Sequence, residues 1–545
     1  MAENDKTSEN LPNSAVEYIN LVIKKMRYRR KARDEVREDL LDHFEVYLKD
    51  CATNEEKEQK AQQLISGFGD PKILAVLMRR AKKRCRPLWQ KILVRSFASA
   101  LLIFAYLLIC ASWLRMGTPT IRINYAQLMT DQQKQGRDES LNAKIEMDKA
   151  ALLLSKSDDS LAVYNMPHLW PGDMNDAQKQ LISKTLQANA ETLNTLNKSL
   201  EKPYYWEDYN RFGSIAIEAN SIIYLNPDLI QSDIKLLAQY RQVARLMATR
   251  IEFGAYSGDI DGAVNDIISL HRFASHLEGQ GLLIEQLVAM AIEGLAHSRT
   301  TNILARVDIP AAQLKHLQDE LTVTFAKREF PIDINDEKAF WYALIQQCFT
   351  DDGRGNGKML KAGMHRFVRD WKNAVWSFLT FSYPDRRQAL AQVEKIFAEG
   401  QQNYQTTPWQ KKGKTFTKPT DSAYGLSIFS LLTLANDRTS AVVWRAKTQR
   451  EATLTILAAL RFQKEKGKFP DNLDELVKAG YLTKLPVDPF SPGSLTYKKT
   501  ADGFLLYSWG ENLKDDDGQI ARDEKGKLKM FADTGDWVFW PVVKN

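Results

Sequence analysis

Four of the chain's histidines, His271, His276, His297 and His316, fall close together in the sequence. Imidazoles are the commonest metal ligands and the side chains best suited to move protons near neutral pH. The His-Glu-x-x-His frame, which would set two of them on one helical turn beside a general base, is absent. These residues read as ordinary helix histidines; the alternative is that they converge across a helical hairpin as a metal site. Gly353–Lys358 (GRGNGK) invites a phosphate-loop reading. Its spacing is short, Met359 stands where a magnesium-holding Ser or Thr belongs, and no apolar strand precedes it, so a loop is expected. Asp351 and Asp352 are adjacent acids in that loop. There is no Gly-x-Ser-x-Gly nucleophile elbow. The four cysteines, Cys51, Cys85, Cys110 and Cys348, form no Cys-x-x-Cys pair or zinc-like spacing. No local catalytic signature is present, which leaves open only an enzyme whose catalytic residues are dispersed in sequence.

The elements that would position such residues divide around one apolar segment. Ser96–Leu114 runs for 19 residues without a charge, close to the ~20 that cross a bilayer as helix. From Lys72 to Arg95 there are nine basic residues and no acidic one. Such a cluster stays on the cytoplasmic side and meets anionic headgroups. Trp89 and Trp113 fall near the two expected interfaces. The segment starts too far from Met1 for a cleaved signal peptide, so an uncleaved anchor is expected. Of the net charge of +7, residues 1–95 hold six, with 21 Lys and Arg against 15 Asp and Glu. The basic excess therefore belongs to the membrane-proximal segment, and nucleic acid is not expected as a partner.

Residues 1–13 are polar and expected to be disordered. Helical periodicity follows at Val16, Ile19, Ile23 and Met26, and again at Val36, Leu40, Leu41, Phe44 and Leu48. Thr53 and Glu56 form a capping box for a third helix, which ends at Gly67-Phe68-Gly69. Asp70-Pro71 opens a fourth, with Leu74, Leu77 and Met78 as its apolar stripe. REDLLDHFEVYL followed by GFGDPKILA resembles the helical HAAS, or permease-prefix, domain found before membrane segments in bacterial proteins. The resemblance covers about residues 14–80 and implies a small non-enzymatic module that binds a partner. His43 lies within it and reads as a structural or exposed residue.

Residues 115–436 read as mostly helix. Apolar spacing marks Ala150–Ser155 and Leu181–Leu200, and Pro203-Tyr204-Tyr205-Trp206 breaks the run. Leu236–Phe253, Ala263–Leu277 and Leu282–Leu304 are three successive helices, and Asp308-Ile309-Pro310 starts a fourth. GDIDGAVNDIISLHRFASHL resembles one helix-turn-helix unit of the tetratricopeptide kind, in which Gly262 and Ala263 would allow close helix approach. No second copy follows at a fixed period, so an irregular helical array is expected. Residues 350–358 and 404–420 read as loops. The apolar stretch Tyr424–Ala435 is too short to span a bilayer.

From residue 437 the pattern changes. A long helix from Asn436 to Lys466 precedes a short helix capped around Asp471, then strand-like pieces at Leu495–Lys498, Phe504–Ser508 and Trp537–Val543. In this order ALRFQKEKGKFP, LDELVKAGYL, LPVDPF, LTY, YSWGENLKDDDG and TGDWVFW closely resemble the C-terminal part of the type II secretion major pseudopilin. The resemblance implies a long helix on a small antiparallel sheet. It also implies calcium in the loop before the last strand, on Asn512, Asp515, Asp516, Asp517, Asp533 and Asp536. The pseudopilin leader and its apolar first helix do not precede the module, so its fold is expected to act here as a capping or interaction domain.

The chain thus resembles bacterial single-pass membrane proteins that join these two modules, a likeness that supplies an architecture and no activity. The expected fold is mainly α. Residues 14–85 form a cytoplasmic helical domain, 86–95 a basic juxtamembrane segment and 96–114 the transmembrane helix. Residues 115–436 form a periplasmic helical-array ectodomain and 437–545 the α+β pseudopilin-like module. The expected function is a non-enzymatic inner-membrane scaffold associated with a secretion or pilus-like system, with protein partners on both sides and anionic lipid at the basic segment. An ectodomain hydrolase is the alternative.

Overall fold

The computed structural model describes residues 11–84, 88–164, 170–212, 227–327, 332–360, 384–412 and 427–542. The chain divides into two compact units, residues 1–109 and 110–545. The architecture is mainly helical, with one three-stranded sheet among the described residues.

In the first unit four helices, α1 (Asn13–Met26), α2 (Arg30–Leu48), α3 (Asn54–Phe68) and α4 (Pro71–Arg84), enclose an apolar core. Ile19 and Met26 of α1 and Val36, Leu40, Phe44 and Leu48 of α2 are buried at the spacing the sequence predicts. The hydroxyl of Thr53 accepts from the Glu56 amide at 3.4 Å. Glu56 returns its carboxylate to the amide of Ala52, one residue earlier than a capping box requires. Asp70 accepts from the Lys72 amide at 2.7 Å and starts α4. Leu77, expected inside, is 54% exposed; Ala75 takes the buried place beside Leu74. The expectation of disorder falls largely outside the described residues, and the helix already begins at Asn13.

Next comes α5 (Leu88–Arg115). Its stretch Ile92–Trp113 has a mean hydropathy of 2.2 over 22 residues and is largely exposed, with Cys110 buried. At 1.5 Å per residue this is roughly 33 Å of helix, enough to cross a hydrocarbon core.

The larger unit continues with α6 (Tyr125–Lys134), α7 (Lys144–Leu153), α8 (Asp158–Tyr164), α9 (Asp176–Ala188), α10 (Ala190–Leu200), α11 (Pro227–Tyr256), α12 (Ile260–Leu277), α13 (Leu283–Arg306), α14 (Ala311–Ala326), α15 (Asn335–Cys348), α16 (Arg386–Gln405), α17 (Pro408–Lys411), α18 (Ser427–Lys466) and α19 (Leu473–Lys478). The single run expected over Leu181–Leu200 is two helices. Asn189 breaks it because its buried amide accepts from the Ser155 amide at 2.9 Å and donates to the Thr185 carbonyl at 2.8 Å. Gly258, at φ +89°, makes the turn before α12, and Asp259 caps that helix by accepting from the Gly262 amide at 2.9 Å. A Cβ at Gly262 would meet the Asp259 carboxylate at 2.2 Å, so this glycine serves the cap rather than the helix pairing expected of it. Helices α11, α12 and α13 pack on one another, and α18 packs across α13 and α14.

Strands β1 (Thr496–Lys499), β2 (Phe504–Ser508) and β3 (Trp537–Trp540) form an antiparallel sheet in sequence order. Tyr497 lies opposite Leu506, and Ser508 opposite Trp537. The long helix α18 packs on β2 and β3. The short helix α19 is capped by Asn472, one residue after the expected Asp471. The module does not have a core of its own. Leu457, Phe462, Phe504, Leu506 and Trp537 belong to the same apolar cluster as Met247, Ile267, Phe273 and Ile292 of the helical array.

Candidate functional site

Two of the four clustered histidines meet. Periodicity explains the meeting: Glu293 and His297 stand four residues apart on one face of α13, and α12 presents His271 to that face. The rings of His271 and His297 lie 4.8 Å apart, edge to face, with Phe325 against both. His271 Nε2 lies 3.2 Å from the hydroxyl of Thr300, and His297 Nδ1 2.7 Å from that of Thr453 on α18. Arg450, one turn from Thr453, donates to both oxygens of Glu293, at 2.5 Å from Nε and 2.9 Å from Nη2, and also to Glu278. All these side chains are buried except Phe325, which is half-buried.

Enclosure sets the charges. Burial, then the neighbouring His297 and Arg450, holds His271 well below the usual imidazole range. Burial and Arg450 bring His297 down to about 3. Burial and the adjacent Glu293 carry Glu278 up to about 8, against the pull of Arg450. Burial works against the charge of Arg450, but Glu293 and Glu278 outweigh it and keep the guanidinium firmly protonated.

The remaining histidines go elsewhere. His316 is exposed on α14. His276 lines an open cleft of about 760 Å³, formed by α6, the segment after α10, the end of α12 and the start of α15. Four tyrosines, Tyr125, Tyr204, Tyr205 and Tyr342, line it beside Arg137, Lys327 and Lys338 and the acids Asp333 and Asp336. Arg137 stacks over Tyr204 at 4.0 Å. Asp336 Oδ2 accepts from Gln133 at 2.6 Å and from the Gly281 amide at 2.8 Å, so this carboxylate is held as a structural acceptor. Behind the wall, Glu285 accepts from Tyr209 and from the Leu282 amide, both at 2.6 Å. Burial and the nearby Glu207 raise Glu285 to about 8.

The acidic C-terminal loop uses its carboxylates on its own chain. Asp536 accepts from the amides of Asp516 and, at 2.6 Å, Gly518. Burial raises its pKa to about 6 despite these bonds. Asp515 accepts from Tyr507 at 2.8 Å, Asp516 from Asn512 at 2.6 Å, and Asp517 pairs with Lys498 at 2.7 Å. Asp533 is exposed. The phosphate-loop lookalike is likewise self-contained. Asp351 accepts from the amides of Gly353 and Gly355, and Asp352 from those of Arg354 and Asn356, so the amides a phosphate would need are taken. Cys348 is buried in an apolar cluster, and Cys85 lies outside the described residues.

The sequence signal for the meeting histidines was Glu-x-x-x-His on α13 facing a histidine one helix earlier. A search framed on His-x-x-x-His passes over it. Arg450 carries no local signal, because its partner Glu293 is 157 residues away in sequence. Comparison with protein-family models, curated proteins and solved structures returned no match.

Proposed function

We propose that this chain is a membrane-anchored binding protein of a bacterial envelope. In this reading Ile92–Trp113 crosses the inner membrane, with the basic segment on the cytoplasmic side against anionic lipid. The larger unit is periplasmic and offers its tyrosine-lined polar cleft to a partner. The observation that carries the reading is the surface of α5, where Phe97, Leu102, Phe104 and Ile109 are each more than 60% exposed. A continuous apolar face of this size is costly in water and favourable in lipid. The resemblance to the HAAS domain on one side and to the pseudopilin module on the other supports a scaffold associated with a secretion or pilus-like system.

Binding is favoured over hydrolysis by where the titratable groups lie. His271, His297, Glu278 and Glu285 are enclosed, out of reach of a substrate; in the cleft, burial lowers His276 to about 3, too weak a base near neutral pH, and Asp336 is already engaged. The acidic loop has no part in this reading; Asp515, Asp516, Asp517 and Asp536 are held by donors of the chain itself, and Asp533 is exposed.

Replacing Leu102 and Leu107 with Arg tests the anchor. Each charge costs about 2.5–3.5 kcal/mol at the centre of a membrane helix. The double variant should leave the membrane fraction on carbonate washing, whereas wild type stays. Retention of the variant would mean that another segment holds the chain in the bilayer.

A further inference from the structure

The cluster between α12 and α13 has an electronic gap that protein atoms do not close. The Thr300 hydroxyl donates to the Ala296 carbonyl at 2.9 Å, so its oxygen can only accept from His271 Nε2. That fixes the proton of His271 on Nε2 and leaves Nδ1 as a bare lone pair. Nδ1 is buried and has no hydrogen-bond partner. At His297, Nδ1 is held by Thr453, while Nε2 is buried without a hydrogen bond, 3.5 Å from Glu293 Oε1. Two imidazole nitrogens and a carboxylate thus face one another. One ligand atom from each of His271, Glu293 and His297 lies within 4.8 Å of the other two. Among the described residues no other three His, Cys, Asp or Glu side chains group in this way.

We propose that His271, Glu293 and His297 bind a borderline divalent transition ion, zinc above all, inside the helical array. Two neutral imidazoles and one carboxylate form a donor set of the kind zinc takes, whereas calcium and magnesium prefer oxygen alone. The outer groups are those expected around such a site. Thr300 and Thr453 engage the far nitrogen of each ring and fix its orientation, and Arg450 grips both oxygens of Glu293 and fixes the carboxylate in place. Zinc bonds of about 2.0–2.1 Å at tetrahedral angles set ligand atoms roughly 3.4 Å apart, so the triad closes by about an ångström on loading. The ion is structural, since the enclosing side chains leave no route for a substrate. It ties α12 to α13, and Thr453 and Arg450 extend the tie to α18, the long helix of the C-terminal module.

The test uses the full chain, produced with zinc or with cobalt in the medium and purified in detergent without chelator. Wild type should hold about one equivalent of either metal. The cobalt form should show visible d–d absorption without a thiolate charge-transfer band. His271→Phe and Glu293→Gln should each lose the metal, and His276→Gln, a buried histidine outside the triad, should keep it. Should the triad variants fail to fold, the wild-type metal content and the cobalt spectrum decide alone. Less than about a tenth of an equivalent in wild type from both media would overturn the proposal. So would metal that both folded triad variants retain, or a cobalt spectrum showing thiolate or all-oxygen ligation.

Discussion

The two units build their interiors from different materials. Among the described residues of the first, no polar or charged residue is buried, and its core is Ile19, Met26, Val36, Leu40, Phe44 and their apolar neighbours. The second buries Arg450 with Glu278 and Glu293, and Lys144 with Glu207. An apolar core needs only volume and pattern to form, so many sequences satisfy it. A buried ionic network is a demanding choice: each charge must be desolvated, and the whole fails when one partner is missing. The first unit is therefore a generic helical platform, and the second is the place where specific side chains have been fixed in specific positions.

That contrast can be broken most severely at Arg450. Replacing it with Met should cost about 3–5 kcal/mol, because Glu278 and Glu293 are then left facing each other without their cation. Denaturant unfolding of the solubilised chain reads this out. A loss below 1 kcal/mol would mean that the network is relaxed or hydrated, and the contrast between the two interiors would fall.

A smaller effect comes from His276, which burial, with Lys327 and Arg272 nearby, lowers to about 3. Its folded value lies below that of the unfolded chain. The stability it permits is complete above pH 6.5 and is lost as pH falls from there toward 3, by about 1.4 kcal/mol per unit. His276→Gln removes this dependence. The stability difference between wild type and variant should therefore shift in favour of the variant between pH 6.5 and 4.5. A pH-independent difference would show that the imidazole can take up its proton in place.

The smallest effect is expected in the first unit. There the polar groups act at the surface and at helix ends, so removing the cap with Thr53→Ala should cost about 1 kcal/mol. A loss several times larger would reveal an ionic or polar interior in that unit too.

Legibility from sequence follows the same line. The apolar faces of α1 and α2, the apolar length of α5 and the three strands were all readable, because period and length are local properties. Asn189 was missed because a polar residue within a helical run gives no sign that its amide will be buried against Ser155 and Tyr164. The acids at Asp515–Asp517 stood out as a ligand set for the opposite reason. Crowded carboxylates are conspicuous in a sequence, whereas the donors that occupy them, Tyr507, Asn512 and Lys498, are not. The triad of His271, Glu293 and His297 needs two helices in register, which single-helix motif frames do not describe.

The proposed function sets the two units on opposite sides of a bilayer, and topology tests it most directly. A reporter enzyme that becomes active only outside the cytoplasm would be fused after Arg80 and, separately, after Asn545. Activity from the second fusion and silence from the first is the predicted result. Silence from the second fusion with activity from the first would invert the membrane orientation, and silence from both would leave α5 as something other than a membrane span.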